Sequence, residues 1–300
     1  MPVTLSTVAL CALLVSAQTS SKKTSDWPHS REGKKLVRIP EPIRMAIDDF
    51  GTDRSLRATE RRPRPRNTQM PAVYVVDTGV RAKHIEFHKG QVDPDCSVDF
   101  RQFRGKKSKP FVGRHAPGHG TCIASLIAGH SVGVFRGGRI CSVRVFGRDG
   151  RAESLDVARA IKWSAENCAL RFNGSCLINV SASADGNSLL DKAVAYAKGR
   201  WNVTVLTAAG NIDGRDSCRV SPCRAAQYCV GSADPETGDP HFFSGVGECV
   251  DVWRDGYARY CAMNQHNRDY ALYSGTSMAT AVATGELARD RHMNWEDDLL

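Results

Sequence analysis

Apolar residues along this chain come in short runs that stop at a glycine or a polar residue, never in one long stripe. "AVYVV" (Ala72–Val76) closes on Asp77-Thr78-Gly79. "CIASLIAG" (Cys122–Gly129) is small and apolar, the composition of a closely packed helix, with glycine at its end. "CSVRVF" (Cys141–Phe146) reads as a strand. "ESLDVARAIKWSAEN" (Glu153–Asn167) places Leu155, Ala158, Ile161 and Ala165 at helical spacing. "CLINVSAS" (Cys176–Ser183) predicts a strand, "SLLDKAVAYAKG" (Ser188–Gly199) a helix closed by glycine, and "VTVLTAAG" (Val203–Gly210) a further strand. Strand and helix alternate across short joins, which predicts an α/β fold whose parallel sheet is covered by helices. No internal repeat is visible.

In such sheets, ligands meet the chain just past the carboxyl ends of the strands. That rule singles out Asp77, the segment after Val180, and Asn211. A fourth position joins them. "YSGTSMATAVATG" (Tyr273–Gly285) surrounds Ser277 with small residues at a helix start. The stretch is either a close-packed helix beginning or a serine that another molecule must reach.

Composition narrows the setting. A chain of 300 residues, 41% of them hydrophobic, has enough apolar material for a packed core. The net charge of +9 is mostly local: between Ser21 and Met70 stand 13 Lys+Arg against 7 Asp+Glu. No stacking motif accompanies this basic stretch, which argues against nucleic-acid binding. Its "RRPRPRN" (Arg61–Asn67) reads as a linker or an exposed processing site. The first twenty residues carry no charge, and "TVALCALLVSA" followed by glutamine has the length of a secretion signal. Residues 1–17 are therefore read as a signal peptide, 18–70 as a basic leader and linker, and the protein as extracellular. No later stretch is long and apolar enough to span a membrane.

Eleven cysteines fit that compartment. Cys11 leaves with the signal and ten remain, a number that suggests disulfides whose connectivity stays open. Cys122, three residues after His119, reads as a buried structural thiol. The spacing of Cys218, Cys223 and Cys229 lacks the paired ligands of a zinc site. Asn173, Asn179 and Asn202 head glycosylation sequons, the second on a strand expected to be buried.

The chemistry comes from combining residues. A serine hydroxyl is a weak nucleophile that needs a base, a group to orient the base, and donors for the oxyanion. Asp77, His119 and Ser277 supply the acid, the base and the nucleophile. "GHGT" removes bulk around the imidazole as "SGTSMAT" does around the serine. Free N–H groups at the helix start after Ser277 favour a developing negative charge, and Asn211 is a candidate second donor.

The blocks "VYVVDTGV", "GHGTCIASLIAG", "NVSASADGN", "LTAAGN" and "YSGTSMATAVATG" together resemble the signature blocks of the subtilisin-like serine proteases (peptidase S8 family), nearest the proteinase K-type branch. The resemblance covers roughly Pro71 to Gly285. It implies a three-layer sandwich with a mostly parallel, about seven-stranded sheet flanked by helices, over residues 71–288. It implies endopeptidase action on protein or peptide substrates by a monomer, with no cofactor needed for the chemistry, and the roles given above for Asp77, His119, Ser277 and Asn211. In the family, substrate joins two extended segments as an added strand. The matching segments here are Gly150-Arg151-Ala152 and Ala182-Ser183-Ala184, the latter with Ala208-Ala209-Gly210 lining the pocket before the scissile bond. Arg151 would make acidic residues tolerated further along that side. Asp251 matches a calcium-ligand position in some relatives, which leaves a structural calcium open and the metal ligands unknown.

Four departures qualify the match. Ser183 and Ala184 stand where the family has two glycines, so their side chains are expected to narrow the pocket rim. Ala281 replaces a proline, and "VWRDG" (Val252–Gly256) replaces a different turn. Only 23 residues follow Ser277, where the family pattern runs on through further elements, so a truncated C-terminal part and an uncovered serine helix are expected, with 289–300 a charged tail. A catalytically silent, peptide-binding relative is therefore the alternative reading. A basic polyanion-binding protein is a third.

Overall fold

The computed structural model describes residues 7–10, 13–14, 70–102, 118–147 and 150–296. Residues 18–69 of the expected leader, "RRPRPRN" included, lie outside them. The expected signal segment is described only as two strands, β1 (Thr7–Leu10) and β2 (Leu13–Leu14). The strands that follow are β3 (Ala72–Asp77), β4 (Val98–Asp99), β5 (Arg139–Arg144), β6 (Arg151–Glu153), β7 (Cys176–Val180), β8 (Ala182–Asp185) and β9 (Thr204–Ala208). After them come β10 (Val220–Ser221), β11 (Tyr228–Ser232), β12 (Val252–Arg254), β13 (Arg259–Ala262) and β14 (Tyr270–Ser274). The α-helices among the described residues are α1 (His119–Ala128), α2 (Ser154–Phe172), α3 (Ser188–Trp201) and α4 (Thr276–Glu296).

Seven strands form one sheet in the order β12-β11-β9-β7-β3-β5-β4. Every pairing within it is parallel. Period-two alternation on β3 sends Ala72, Tyr74 and Val76 into one core layer and Val73 and Val75 into the other. The first layer holds Ile161 of α2 and Leu190 of α3; the second holds Ile123 of α1 and Met278 of α4. The arrangement is a three-layer α/β sandwich with a mostly parallel sheet, as expected. β3 has β5 on one side and β7 on the other, so the strand order departs in both directions from its carboxyl end. Asp77 thus stands at the crevice where ligands meet such sheets.

Several elements differ from the sequence reading. α2 runs on to Phe172, and its buried stripe includes Val157, Ala158, Ile161, Ala165 and Cys168, while Leu155 is exposed. The expected strand 176–183 breaks at Ser181 into β7 and β8, and β8 leaves the parallel sheet to pair antiparallel with β10 and β1. α3 runs through Gly199 and stops at Asn202, whose left-handed conformation (φ 53°) closes it; Asn173 (φ 49°) does the same for α2. Both of these sequon asparagines are exposed, whereas Asn179 is buried and donates to Thr284 Oγ1 at 2.9 Å.

The serine helix is covered, contrary to expectation. Met278, Ala279, Ala281 and Ala283 are fully buried. Small residues explain the fit: a Cβ on Gly285 would come within 2.9 Å of Val134 Cβ and 3.0 Å of Ile127 O. The charged stretch after Leu287 continues the helix, and Arg291 donates to Thr204 Oγ1 at 2.6 Å.

Five disulfides join the ten cysteines after Cys11: Cys96–Cys141, Cys122–Cys261, Cys168–Cys176, Cys218–Cys249 and Cys223–Cys229. Cys122 is buried and structural, as expected, but as half of a disulfide rather than as a thiol. Its bond to Cys261, 139 residues away in sequence, ties α1 to the β13–β14 hairpin and closes the longest of the five loops, where the loss of unfolded-state entropy is greatest.

Candidate functional site

Asp77 ends β3 and is fully buried. Its backbone carbonyl accepts from Val145 N–H at 2.8 Å, and Thr78 N–H donates to Oδ1 at 2.6 Å, so main chain anchors both the backbone of Asp77 and one oxygen of its carboxylate. His119 opens α1 with Nδ1 2.8 and 2.9 Å from the two carboxylate oxygens. A carboxylate only accepts, so Nδ1 carries the proton and Nε2 is the basic nitrogen. The glycines around His119 are there for space. A Cβ on Gly120 would stand 2.6 Å from Gly79 O and 2.9 Å from Asp77 Oδ1, and one on Gly118 would stand 2.6 Å from Met263 Cε. Gly120 N–H also donates to Thr78 Oγ1 at 2.9 Å, tying the helix start to the turn after β3.

Ser277 lies in the first turn of α4. Gly256, within the "VWRDG" stretch, supports the turn before it: its own Cβ would meet Gly275 O at 2.4 Å. Ser277 Oγ donates to Ser181 O at 3.3 Å, and Ser181 Oγ lies 3.3 Å from Ser277 O. His119 Nε2 is buried without a hydrogen-bond partner. Asp77 and His119 are thus joined, while no hydrogen bond links the Ser277 hydroxyl to the imidazole. In sites of this kind the nucleophile–base bond is often made only once substrate is bound.

Asn211 is oriented by a residue the sequence reading did not single out. Thr276 directs both its backbone N–H and its Oγ1–H to Asn211 Oδ1, each at 3.0 Å. The side-chain amide therefore presents its Nδ2 donor away from Thr276. The small residue before Ser277 carried the signal, since a threonine at a helix start has a hydroxyl able to reach a neighbouring loop.

The expected pocket walls come together in part. Ser183 and Ala184 on β8 are half-buried, and the point where a Gly210 Cβ would stand (φ 94°) is 3.6 Å from Ser183 Oγ. Ala182 is fully buried. Gly150 (φ 71°) precedes β6, on which Arg151 and Ala152 lie. The groove between β6 and β8 holds the chain's own β1, antiparallel to both, with Val8 opposite Ala152 and Ala9 opposite Arg151 and Ser183. Beyond it, β2 pairs antiparallel with β14, Leu13 opposite Ser274 and Leu14 opposite Tyr273. Two described strands of the N-terminal segment thus add to β8 and to β14, the latter at Ser274, three residues before Ser277.

Asp251 Oδ2 accepts from Cys229 N–H at 2.8 Å, and among the described residues no group of three or more His, Cys, Asp or Glu is placed to hold a metal. Among them, too, no helix is long and apolar enough to cross a membrane.

Beside the site, His84 is fully buried, with Nε2–H directed to Asp269 O at 2.9 Å and Nδ1 accepting from Glu86 N–H. Burial holds its pKa below the ordinary histidine value. Glu86 goes below the usual carboxylate range: burial raises it, but donors from Ser131, Tyr270 and Val132 outweigh that.

Comparison with known proteins gives this geometry relatives. The model of the subtilase family (Peptidase S8) matches residues 69–297. The extracellular serine proteinase of Thermus sp. (strain Rt41A) is 33% identical over 221 residues, covering 72% of this chain and 49% of that protein. The alkaline serine exoprotease A of Vibrio alginolyticus is 32% identical over 215 residues, covering 72% and 37%. The crystal structure of a cold adapted subtilisin-like serine proteinase superposes with a TM-score of 0.66 at 30% identity, over 79% of this chain and 82% of that one. The chain spans about half or less of the length of the two curated relatives.

Proposed function

The chain belongs to the subtilase family, and from that premise we propose that it is a secreted serine endopeptidase acting through an acyl-enzyme on Ser277. The observation that carries this reading is the buried Asp77–His119 contact at 2.8 Å, which sets Nε2 as the basic nitrogen on the side of the sheet where α4 begins. On substrate binding, Ser277 Oγ turns from Ser181 O to His119 Nε2 and gives up its proton as it attacks the carbonyl. Asp77 stabilises the imidazolium that forms. Asn211 Nδ2 and the Ser277 backbone N–H stabilise the oxyanion. His119 then protonates the leaving amine, and water releases the acyl group by the same path in reverse.

Substrate residues before the bond add a strand between β6 and β8, where β1 lies. Ser183 stands across the first pocket from Gly210, flanked along β8 by Ala182 and Ala184, and its side chain with that of Ala184 narrows the rim. Arg151 on β6 makes acidic residues tolerated further along. Ten paired cysteines support an extracellular site of action.

Peptidyl nitrophenyl esters with a mid-sized apolar residue before the bond test the reading. The account expects a burst of one nitrophenolate per active site, lost in Ser277→Ala. Hydrolysis that survives Ser277→Ala would reject it. The second reading, a silent peptide-binding protein, draws on the occupied groove and on the Ser277–Ser181 bond. It predicts peptide binding with no burst.

A further inference from the structure

The groove does not stop at Ser277. β14 has β13 on one edge and, on the other, the pairing with β2, which begins at Ser274, three residues before Ser277. A ligand strand that lies first against β8 and then against β14 therefore follows one path across both walls. In a ligand that kept the pairings of Leu10 with Ala182 and Leu13 with Ser274, the bond to be cut would be placed between the two residues that separate those positions. The residue opposite Ser274 is then the second after the bond, and the one opposite Leu272 the fourth.

What stands beside that fourth position is built and exposed. Tyr270, Leu272 and Ser274 alternate onto one face of β14, and Tyr260, opposite Leu272 on β13, shares it. Leu272 is 40% exposed and Tyr260 54% exposed. The rings of Tyr260 and Tyr270 stack at 4.8 Å with 8° between their planes. Tyr270 is held from behind: its hydroxyl donates to Glu86 at 2.5 Å and its ring meets His84 edge-on at 5.1 Å. An apolar ledge fixed by a buried carboxylate loses little freedom when a ligand covers it.

We propose that Tyr260, Leu272 and Tyr270 form a specificity-determining shelf for an apolar residue at the fourth position after the scissile bond. The occupant is an extended peptide whose backbone pairs with β14 as Leu13 and Leu14 do, and whose apolar side chain lies against Leu272 and the Tyr260 ring. The shelf adjoins the site assigned above and rests on that assignment for the meaning of the register.

The test uses fluorescent octapeptides with four residues after the bond and Leu, Phe, Ser or Asp at the last. Binding to the full chain carrying Ser277→Ala is read by anisotropy, and fluorophosphonate labelling of the unsubstituted chain is read in parallel. Leu and Phe peptides are expected to bind about 10-fold more tightly than Ser and Asp peptides, the effect of partly burying one apolar side chain. Adding Tyr260→Ala or Leu272→Asn should bring all four to within about twofold, while either change alone should leave the labelling rate of the otherwise unsubstituted chain unaltered. Equal affinities in the parent, or a preference that survives both substitutions, would overturn the shelf. Selective binding without labelling would support the shelf and reject the acyl-enzyme; labelling without selectivity would do the reverse.

Discussion

The two faces of the central sheet solve packing in opposite ways. On the face of α2 and α3, bulk does the work. Tyr74 meets Trp163 edge-on at 6.2 Å and Phe172 at 6.3 Å, Phe100 meets Trp163 at 5.9 Å, and the Tyr74 hydroxyl donates to Asn167. On the face of α1 and α4, glycine, alanine, serine and threonine bring backbones together. A single methyl at Gly120 or Gly285 has nowhere to go. The first face only has to fill space, and similar volumes can fill it. The second has to hold an acid, a base, a hydroxyl and an amide at fixed positions, and short side chains leave the backbone to set them. Positional precision in this molecule comes from what is small.

The comparison can be broken most severely at the amide. Asn211→Ala removes the donor that Thr276 orients, and turnover should fall by about 10²–10³, the scale measured in another member of the family. Folding is expected to be unaffected; an equal loss of thermal stability would mean that Asn211 is structural. Next comes Gly120→Ala, which presses a methyl on Asp77 Oδ1 and Gly79 O. A displacement of about 1 Å at the acid–base pair should lower turnover by about 10²-fold, even though alanine is the better helix former.

Two substitutions away from the chemistry sharpen the contrast. Gly285→Ala should cost about 1–3 kcal/mol of stability by overpacking α4 against α1, with the rate per folded molecule unchanged. Trp163→Phe on the opposite face should cost less than about 1.5 kcal/mol and leave the rate alone. Urea midpoints and burst amplitudes measure both.

The smallest effect is in pH. His84 and His241 are both held below the ordinary histidine value, in each case chiefly by burial. Protonating His84 would set a new N–H against the Glu86 N–H that Nδ1 now accepts. The unfolded chain binds these protons first, so stability is full above about pH 6.5 and declines as pH falls toward the lower folded values. Urea midpoints should drop between pH 7 and pH 5. His84→Gln should flatten part of that slope; an unaltered slope would remove His84 from the account.

The blocks that carry the candidate site were visible in the chain because their glycines and small residues serve local needs. A strand ending in Asp77, a helix opened by His119 between glycines, and Ser277 among small residues each leave a mark within a few positions. Leu155 misled because helical spacing alone does not say which stripe faces inward; Val157 and Cys168 define it. The partner of Cys122 was hidden because pairing depends on where the β13–β14 hairpin docks, a tertiary fact. Thr276 was missed because its role depends on Asn211 arriving from a strand 65 residues earlier. The cover over α4 could not be foreseen from the number of residues after it, because α1 and the turn at Val134 supply it. The hydroxyl's bond to Ser181 O is likewise a contact across 96 residues, set by how β7 ends.

Site-mapped labelling of the full chain with a fluorophosphonate tests the central claim most directly. The account predicts a single adduct on the peptide carrying Ser277, absent in Ser277→Ala and slowed by orders of magnitude in His119→Ala. An adduct at any other residue, or none on correctly folded protein, would contradict it.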